Sequence, residues 1–199
     1  MGSRVEASGR YSGQRWTRPT LLPKPPLALP HWLDLKWSNC FVGNGMAGQM
    51  NLSQDFNEFL SCLAAEEVRF LLVGGYALAA HGFPRFTKDM DVWVACDEGN
   101  ADRILRALAA FGFGSIGLSR SDLLDPRGVV QLGYPPLRID LLSGIDGVGF
   151  EDAWPRRILV NWSGLEIPVI HRSDLILNKK STGRLRDLAD VEDLERLGG

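Results

Sequence analysis

The chain has 199 residues, 45% hydrophobic and 23% charged, with a formal net charge of −2. That is the composition of an ordinary globular protein with enough apolar material for one core. It contains neither an apolar run of the about 18 residues a membrane span needs nor a metal spacing among Cys40, Cys62 and Cys96, and it does not open on the basic-then-apolar pattern of a secretory signal, so a reducing cytoplasm is the simplest compartment.

Residues 1–49 differ from the rest. They carry six Lys/Arg and two Asp/Glu, against sixteen and twenty-two in residues 50–199. The second part is therefore net acidic, which argues against broad charge-driven binding to nucleic acid but leaves room for a local basic groove. Pro19, Pro23, Pro25, Pro26 and Pro30 break any helix or central strand. The expectation is an N-terminal extension that is disordered or not native, with Met50 as an alternative start and a folded domain over 50–199. The other reading is that Trp16, Trp32 and Trp37 pack on that domain.

From residue 53 the pattern sharpens. Ser53 reads as an N-cap, and Phe56, Phe59, Leu60, Leu63 and Ala64 recur at helical spacing. Val68–Val73 is a short apolar run of strand formers, followed by Gly74-Gly75 and a short helix, Tyr76–His81, that Gly82 ends. Asp89–Val94 alternates polar and apolar and predicts a strand with one functional face. Residues 98–111 predict a helix burying Ile104, Leu105, Leu108 and Phe111. Val129–Leu132 and Leu137–Leu142 predict two strands around a Tyr134-Pro-Pro turn. Ile158–Val160 and Leu165–Ile170 predict a hairpin around Ser163-Gly164, and two helices follow at 172–182 and 184–197. The fold class is α/β (α+β): a small mixed sheet flanked by helices.

Three features carry chemistry. Gly74-Gly75 lets backbone approach a ligand at a helix N-terminus, where free N–H groups suit a phosphate, although such a turn often needs glycine for geometry alone. Asp89 and Asp91 lie on one strand face, roughly 7 Å apart by alternation, and repel unless a cation neutralises them. Hard oxygens at this spacing suit Mg²⁺ or Mn²⁺ shared with phosphate; a solvated strand end is the plain alternative. Asp140 inside an apolar strand needs a partner, either a metal or Arg138 on the same face. His81 reads as a helix-end residue, and neither a Ser-His-Asp nor a Cys-His arrangement is visible.

Taken together, Val73-Gly74-Gly75, a spacer, and Asp89-Met90-Asp91-Val92 resemble the signature of the nucleotidyltransferase superfamily, which includes polymerase-beta-like enzymes. Arg85-Phe-Thr87-Lys-Asp89-Met-Asp91 and Lys179-Lys-Ser-Thr-Gly183-Arg184-Leu-Arg-Asp187, with Asp190 beyond, resemble small bacterial nucleotidyltransferases related to the abortive-infection (AbiEii-type) toxin group. One departure is that Gly75 stands where polymerase-like members commonly have Ser. The resemblance covers roughly residues 53–195. It implies catalytic and metal-binding roles for Asp89, Asp91 and Asp140, and nucleotide binding by Gly74, Gly75, Arg85, Thr87, Lys179 and Arg184. Lys180 is the less suited of the two lysines, and the Lys179 stem is expected to lie along the domain with its ammonium aimed outward. The reaction implied is metal-dependent transfer of a nucleotidyl group from a nucleoside triphosphate to an acceptor: a protein hydroxyl, a tRNA end or a small molecule. A toxin–antitoxin or phage-defence setting, with an antitoxin partner, goes with that group. The alternative is a non-catalytic nucleotide- or partner-binding module of the same fold.

Overall fold

The computed structural model describes residues 4–6, 52–133 and 138–196. Strand β1 (Arg4–Glu6) lies at a sheet edge; the rest of residues 1–49, with its three tryptophans, and the Tyr134-Pro-Pro turn fall outside the described residues. Helix α1 (Gln54–Ala65) starts where the Ser53 hydroxyl accepts the Phe56 N–H, so the expected cap forms. Its buried face is Phe56, Phe59, Leu60 and Leu63; Ala64 is exposed, contrary to expectation, because it falls on the polar side of the stripe.

Strand β2 (Phe70–Leu72) is shorter than the apolar run that contains it. Helix α2 (Gly74–Ala80) begins at the glycines themselves, two residues earlier than the sequence suggests. His81 closes it through its backbone N–H, and its ring Nε2 lies 2.9 Å from the Ile170 carbonyl oxygen. Burial lowers the pKa of that imidazole. Strand β3 (Asp89–Val94) and helix α3 (Glu98–Phe111) match the expected spans. Ile104 and Leu108 are buried, while Leu105 and Phe111 are partly buried at the core's margin.

A short helix, α4 (Arg120–Leu123), leads into β4 (Val129–Leu132) and β5 (Arg138–Leu142). Helix α5 (Phe150–Ala153) and a 3-10 turn, Trp154–Arg156, precede the hairpin β6 (Ile158–Trp162) and β7 (Leu165–Val169). Ser163 and Gly164 both take positive φ, 53° and 84°, as a tight hairpin turn requires. Helices α6 (Arg172–Thr182) and α7 (Leu185–Arg196) close the described chain, hinged at Gly183 in a left-handed C-cap. Helices α4 and α5 were not legible from the sequence, since four residues are too few to show a period.

The strands form one mixed sheet in the order β1-β4-β5-β3-β2-β7-β6. The central pair β3 and β5 is parallel; β2 runs antiparallel to β3, and β4 antiparallel to β5. Met90, Val92 and Val94 are fully buried in the same core cluster as Phe59, Leu60 and Ile104. Alternation therefore turns Asp89 and Asp91 to the opposite face. At the far end of that face Trp93 is buried against Phe150, ring centroids 5.0 Å apart. Asn100 is fully buried and satisfied: its side chain accepts from Arg69 N–H and donates to the Arg69 and Ala95 carbonyls, tying α3 to the ends of β2 and β3. No described helix is long and apolar enough to cross a membrane.

Candidate functional site

The parallel pairing of β3 and β5 sets Asp89 beside Arg138 and Asp91 beside Asp140. All four residues share one face, because each pair is two positions apart on its strand. Arg138 answers two of the three acids. One guanidinium nitrogen donates to Asp89 Oδ2 at 2.6 Å and to Asp140 Oδ2 at 3.1 Å, and Nε lies 3.0 Å from Asp140 Oδ1. That Nε contact is an ion contact only, since Nε has no aligned hydrogen-bond acceptor. Asp140 also accepts from Gln131 Nε2 at 3.2 Å, its neighbour across β4. Of the two sequence readings of Asp140, the geometry shows the pairing with Arg138, and it also sets Asp140 beside Asp91.

Asp91 is treated differently. Its carboxyl makes no hydrogen bond among the described residues. Burial, then the charges of Asp140 and Asp89, push its pKa up to about 6; Arg138 and Lys179 pull the other way and lose. Asp89 is half-buried, and its Oδ1 is enclosed without a partner. The cluster therefore holds more negative charge than the protein neutralises.

The glycine turn backs directly onto these acids. Gly74 has φ +61°, and a Cβ there would collide with Asp91 Oδ2; a Cβ on Gly75 would stand 2.9 Å from the Thr87 side chain. Both glycines are needed so that the start of α2 can close on the acid face. The Val73 N–H donates to the Asp91 carbonyl, fixing the turn to β3. Thr87 donates its hydroxyl to the Asp89 carbonyl at 3.0 Å. Along the extended run before β3, Arg85 and Thr87 are partly buried while Pro84, Phe86 and Lys88 are exposed.

A second charged cluster lies between α6 and α7. Lys179 does not aim its ammonium outward as expected: it is 3% exposed, with Nζ 2.8 Å from Asp187 Oδ1 and 2.6 Å from Asp190 Oδ2. The sequence missed this because the Gly183 turn folds α7 back over α6, placing both acids within reach of the stem. Arg85 donates to the same Asp190 oxygen at 2.9 Å, so the network ties α6 and α7 to the run that enters β3. Thr182 donates to Asp187 Oδ2 at 2.7 Å. Burial alone would raise the pKa of Asp187, but the hydrogen bonds from Lys179 and Thr182 outweigh it and leave it lowered. Lys179 is close enough to act on Asp91 as well. Arg184 is exposed, with Asp187 in its field. Lys180 is exposed and pairs with Glu195.

Among the described residues no three His, Cys, Asp or Glu side chains converge as a ready metal cage. The donor chemistry still suits a hard cation: an enclosed partnerless oxygen on Asp89, a carboxyl on Asp91 without a hydrogen bond, and net negative charge. Two roles escaped the sequence reading. Arg138 was visible as a partner for Asp140 but not for Asp89, which is 49 residues away. Asp187 and Asp190 stood in a motif with no contact assigned, although their spacing after Gly183 was on view.

No protein-family model matches the chain, and no curated protein matches it in sequence. Solved structures do resemble it. A lincosamide antibiotic adenylyltransferase with lincomycin bound aligns at a TM-score of 0.45 and 12% identity, over 73% of this chain and 97% of its own. A candidate nucleotidyltransferase from Thermotoga maritima aligns at 0.45 and 18%, over 71% and 89%. An antigenic nucleotidyltransferase-like protein from Paracoccidioides brasiliensis aligns at 0.44 and 17%, over 72% and 75%. These are likenesses of overall arrangement, and residue roles rest on the geometry of this chain.

Proposed function

We propose that this chain is a nucleotidyltransferase of the polymerase-beta-like superfamily, moving a nucleotidyl group from a nucleoside triphosphate to an acceptor hydroxyl. The observation that carries the reading is the under-neutralised set Asp89, Asp91 and Asp140 on two paired strands, with a glycine turn closed against Asp91. A face that concentrates uncompensated carboxylates is costly to fold and is explained by a cationic ligand.

In this reading the acceptor oxygen bonds to the α-phosphorus, the bond from that phosphorus to the β-phosphate bridging oxygen breaks, and pyrophosphate leaves. The acceptor proton passes to a carboxylate, for which Asp140 is the assignment. Gly74 and Gly75 offer backbone N–H groups to the β- and γ-phosphates, because the first N–H groups of a helix have no partner within it. Thr87 shapes the same turn. Arg85, steadied by Asp190, and exposed Arg184 add positive charge for the leaving group, and Lys179 holds that scaffold while contributing its field. Mg²⁺ or Mn²⁺ held by Asp89 and Asp91, with Asp140, would supply charge neutralisation and Lewis acidity. The acceptor is a protein hydroxyl, a tRNA end or a small molecule, and the abortive-infection type of nucleotidyltransferase, with an antitoxin partner, is the subgroup proposed.

One observation favours a second reading, a non-catalytic nucleotide-binding module: Arg138 already bridges Asp89 and Asp140. A single experiment separates the two. The full chain is incubated with each α-labelled triphosphate, Mg²⁺ and a total cell lysate, and label is followed in macromolecular and small-molecule fractions. Label transfer that Asp89→Asn and Asp91→Asn both abolish is expected. Metal-dependent triphosphate binding with no transfer selects the binding module, and no binding of any triphosphate ends both readings.

A further inference from the structure

Resting on the reading of Asp89 and Asp91 as metal-binding carboxylates, we propose that Arg138 is a tethered counter-cation. It stands in for the divalent ion in the metal-free protein and must give up Asp89 before metal binds. In-register pairing puts Arg138 directly beside Asp89. One guanidinium nitrogen then lies 2.6 Å from Asp89 Oδ2 and 3.1 Å from Asp140 Oδ2, between two acids that come from different strands. Arg138 is the one cation hydrogen-bonded to either acid among the described residues; Lys179 and Arg85, the cations of the neighbouring cluster, are held by Asp187 and Asp190.

The contact is made but incompletely satisfied. Asp89 Oδ1 and Arg138 Nε are both enclosed without a hydrogen-bond partner. A guanidinium is planar and at its best against a single carboxylate, in a two-bond fork. Here it is split between two, so each bond costs less to break than a full fork would. The Arg138 side chain is also 28% exposed, which leaves it room to swing off Asp89 while keeping Asp140. A divalent ion placed on Asp89, at Oδ2 or at the partnerless Oδ1 of the same carboxyl, would meet the guanidinium at close range and repel it, so metal and Arg138 compete for that carboxylate. Arg138 is thus a positioning residue: it keeps the acids from repelling each other apart before metal arrives and sets how much metal is needed.

The test uses the full chain without nucleotide and Mn²⁺ as the probe. Mn²⁺ affinity is read by titration calorimetry, and the thermal midpoint is read in chelator and in saturating Mn²⁺. Arg138→Gln is expected to melt lower than wild type in chelator yet bind Mn²⁺ tighter, by roughly two- to fivefold, the scale of one part-exposed charge pair. Arg138→Lys, a compact point charge in place of the planar guanidinium, is expected to fall between them; it also serves if the Gln variant does not fold. A residue of purely structural importance would lower affinity on removal. Unchanged or weaker Mn²⁺ binding by a folded variant overturns the counter-cation role alone. If wild type and variants all fail to bind Mn²⁺, the metal reading of the site falls with it.

Discussion

Asp91 and Asp187 are both withdrawn from solvent, and their pKa values move in opposite directions. Asp91 rises to about 6, and Asp187 falls below its ordinary value. Burial pushes both upward. What separates them is the company each keeps. Asp187 faces the Lys179 ammonium and the Thr182 hydroxyl, in a cluster where Lys179 and Arg85 balance Asp187 and Asp190. Asp91 faces two further acids, and the one arginine among them bonds to its neighbours instead. Charge balance thus divides the two clusters: the α6–α7 network carries its own counter-charges, and the sheet face is short of positive charge.

The widest break of that comparison comes from Lys179→Ala. It strips the scaffold's central cation from a site 3% exposed, leaving Asp187 and Asp190 short of charge. A loss of about 3–5 kcal/mol is expected, the usual result of removing one partner of a buried pair. Denaturant unfolding of the metal-free chain at pH 7 measures it. A variant as stable as wild type, with nucleotide affinity lost, would show that Lys179 faces the ligand after all.

Asp91→Asn should act in the opposite sense. A carboxyl whose pKa is raised on folding favours the native state only while protonated, so its contribution is fully present below about pH 3.8 and is lost as pH rises through about 6. In chelator at pH 8 the Asn variant should therefore be more stable than wild type, by about 1–3 kcal/mol, and that advantage should largely vanish at pH 4. The same variant should lose label transfer. Destabilisation at pH 8 would mean that the Asp91 carboxylate is neutralised in the native protein, and the contrast with Asp187 would collapse.

Lys180→Ala sharpens the comparison from its small end. Lys180 is one residue from Lys179 and half-exposed, paired with an equally exposed Glu195. Surface pairs of this kind contribute about 0–1 kcal/mol. Both unfolding and triphosphate binding should stay near wild type. An effect as large as that of Lys179→Ala would show that α6 responds to any loss of charge, irrespective of burial.

Most of the elements were legible because their signals are local. Helix α1 follows from apolar residues at helical spacing and from the Ser53 cap, α3 from its apolar spacing, and β3 from its alternation. The face shared by Asp89 and Asp91 needs only the two-residue period of a strand. Lys179 shows the limit. Its place on α6 was clear, but its outward aim was wrong, because what it meets is supplied by α7 folded back at Gly183. Helices α4 and α5 are too short to show a period.

The amino-acid sequence by itself determined which residues could form the site: a glycine turn, two acids on one strand face, a third acid and an arginine on another, and a lysine ahead of a second acidic segment. The tertiary structure decided how their charges are shared. Pairing β3 and β5 in this register puts Arg138 against Asp89 and leaves Asp91 against Asp140; a shift of two residues would keep every side chain on the same face and hand the cation to a different acid. Strand period is written in neighbouring residues, but cross-strand register is chosen by the packing of the whole core. That choice leaves Asp91 without a counter-charge of its own.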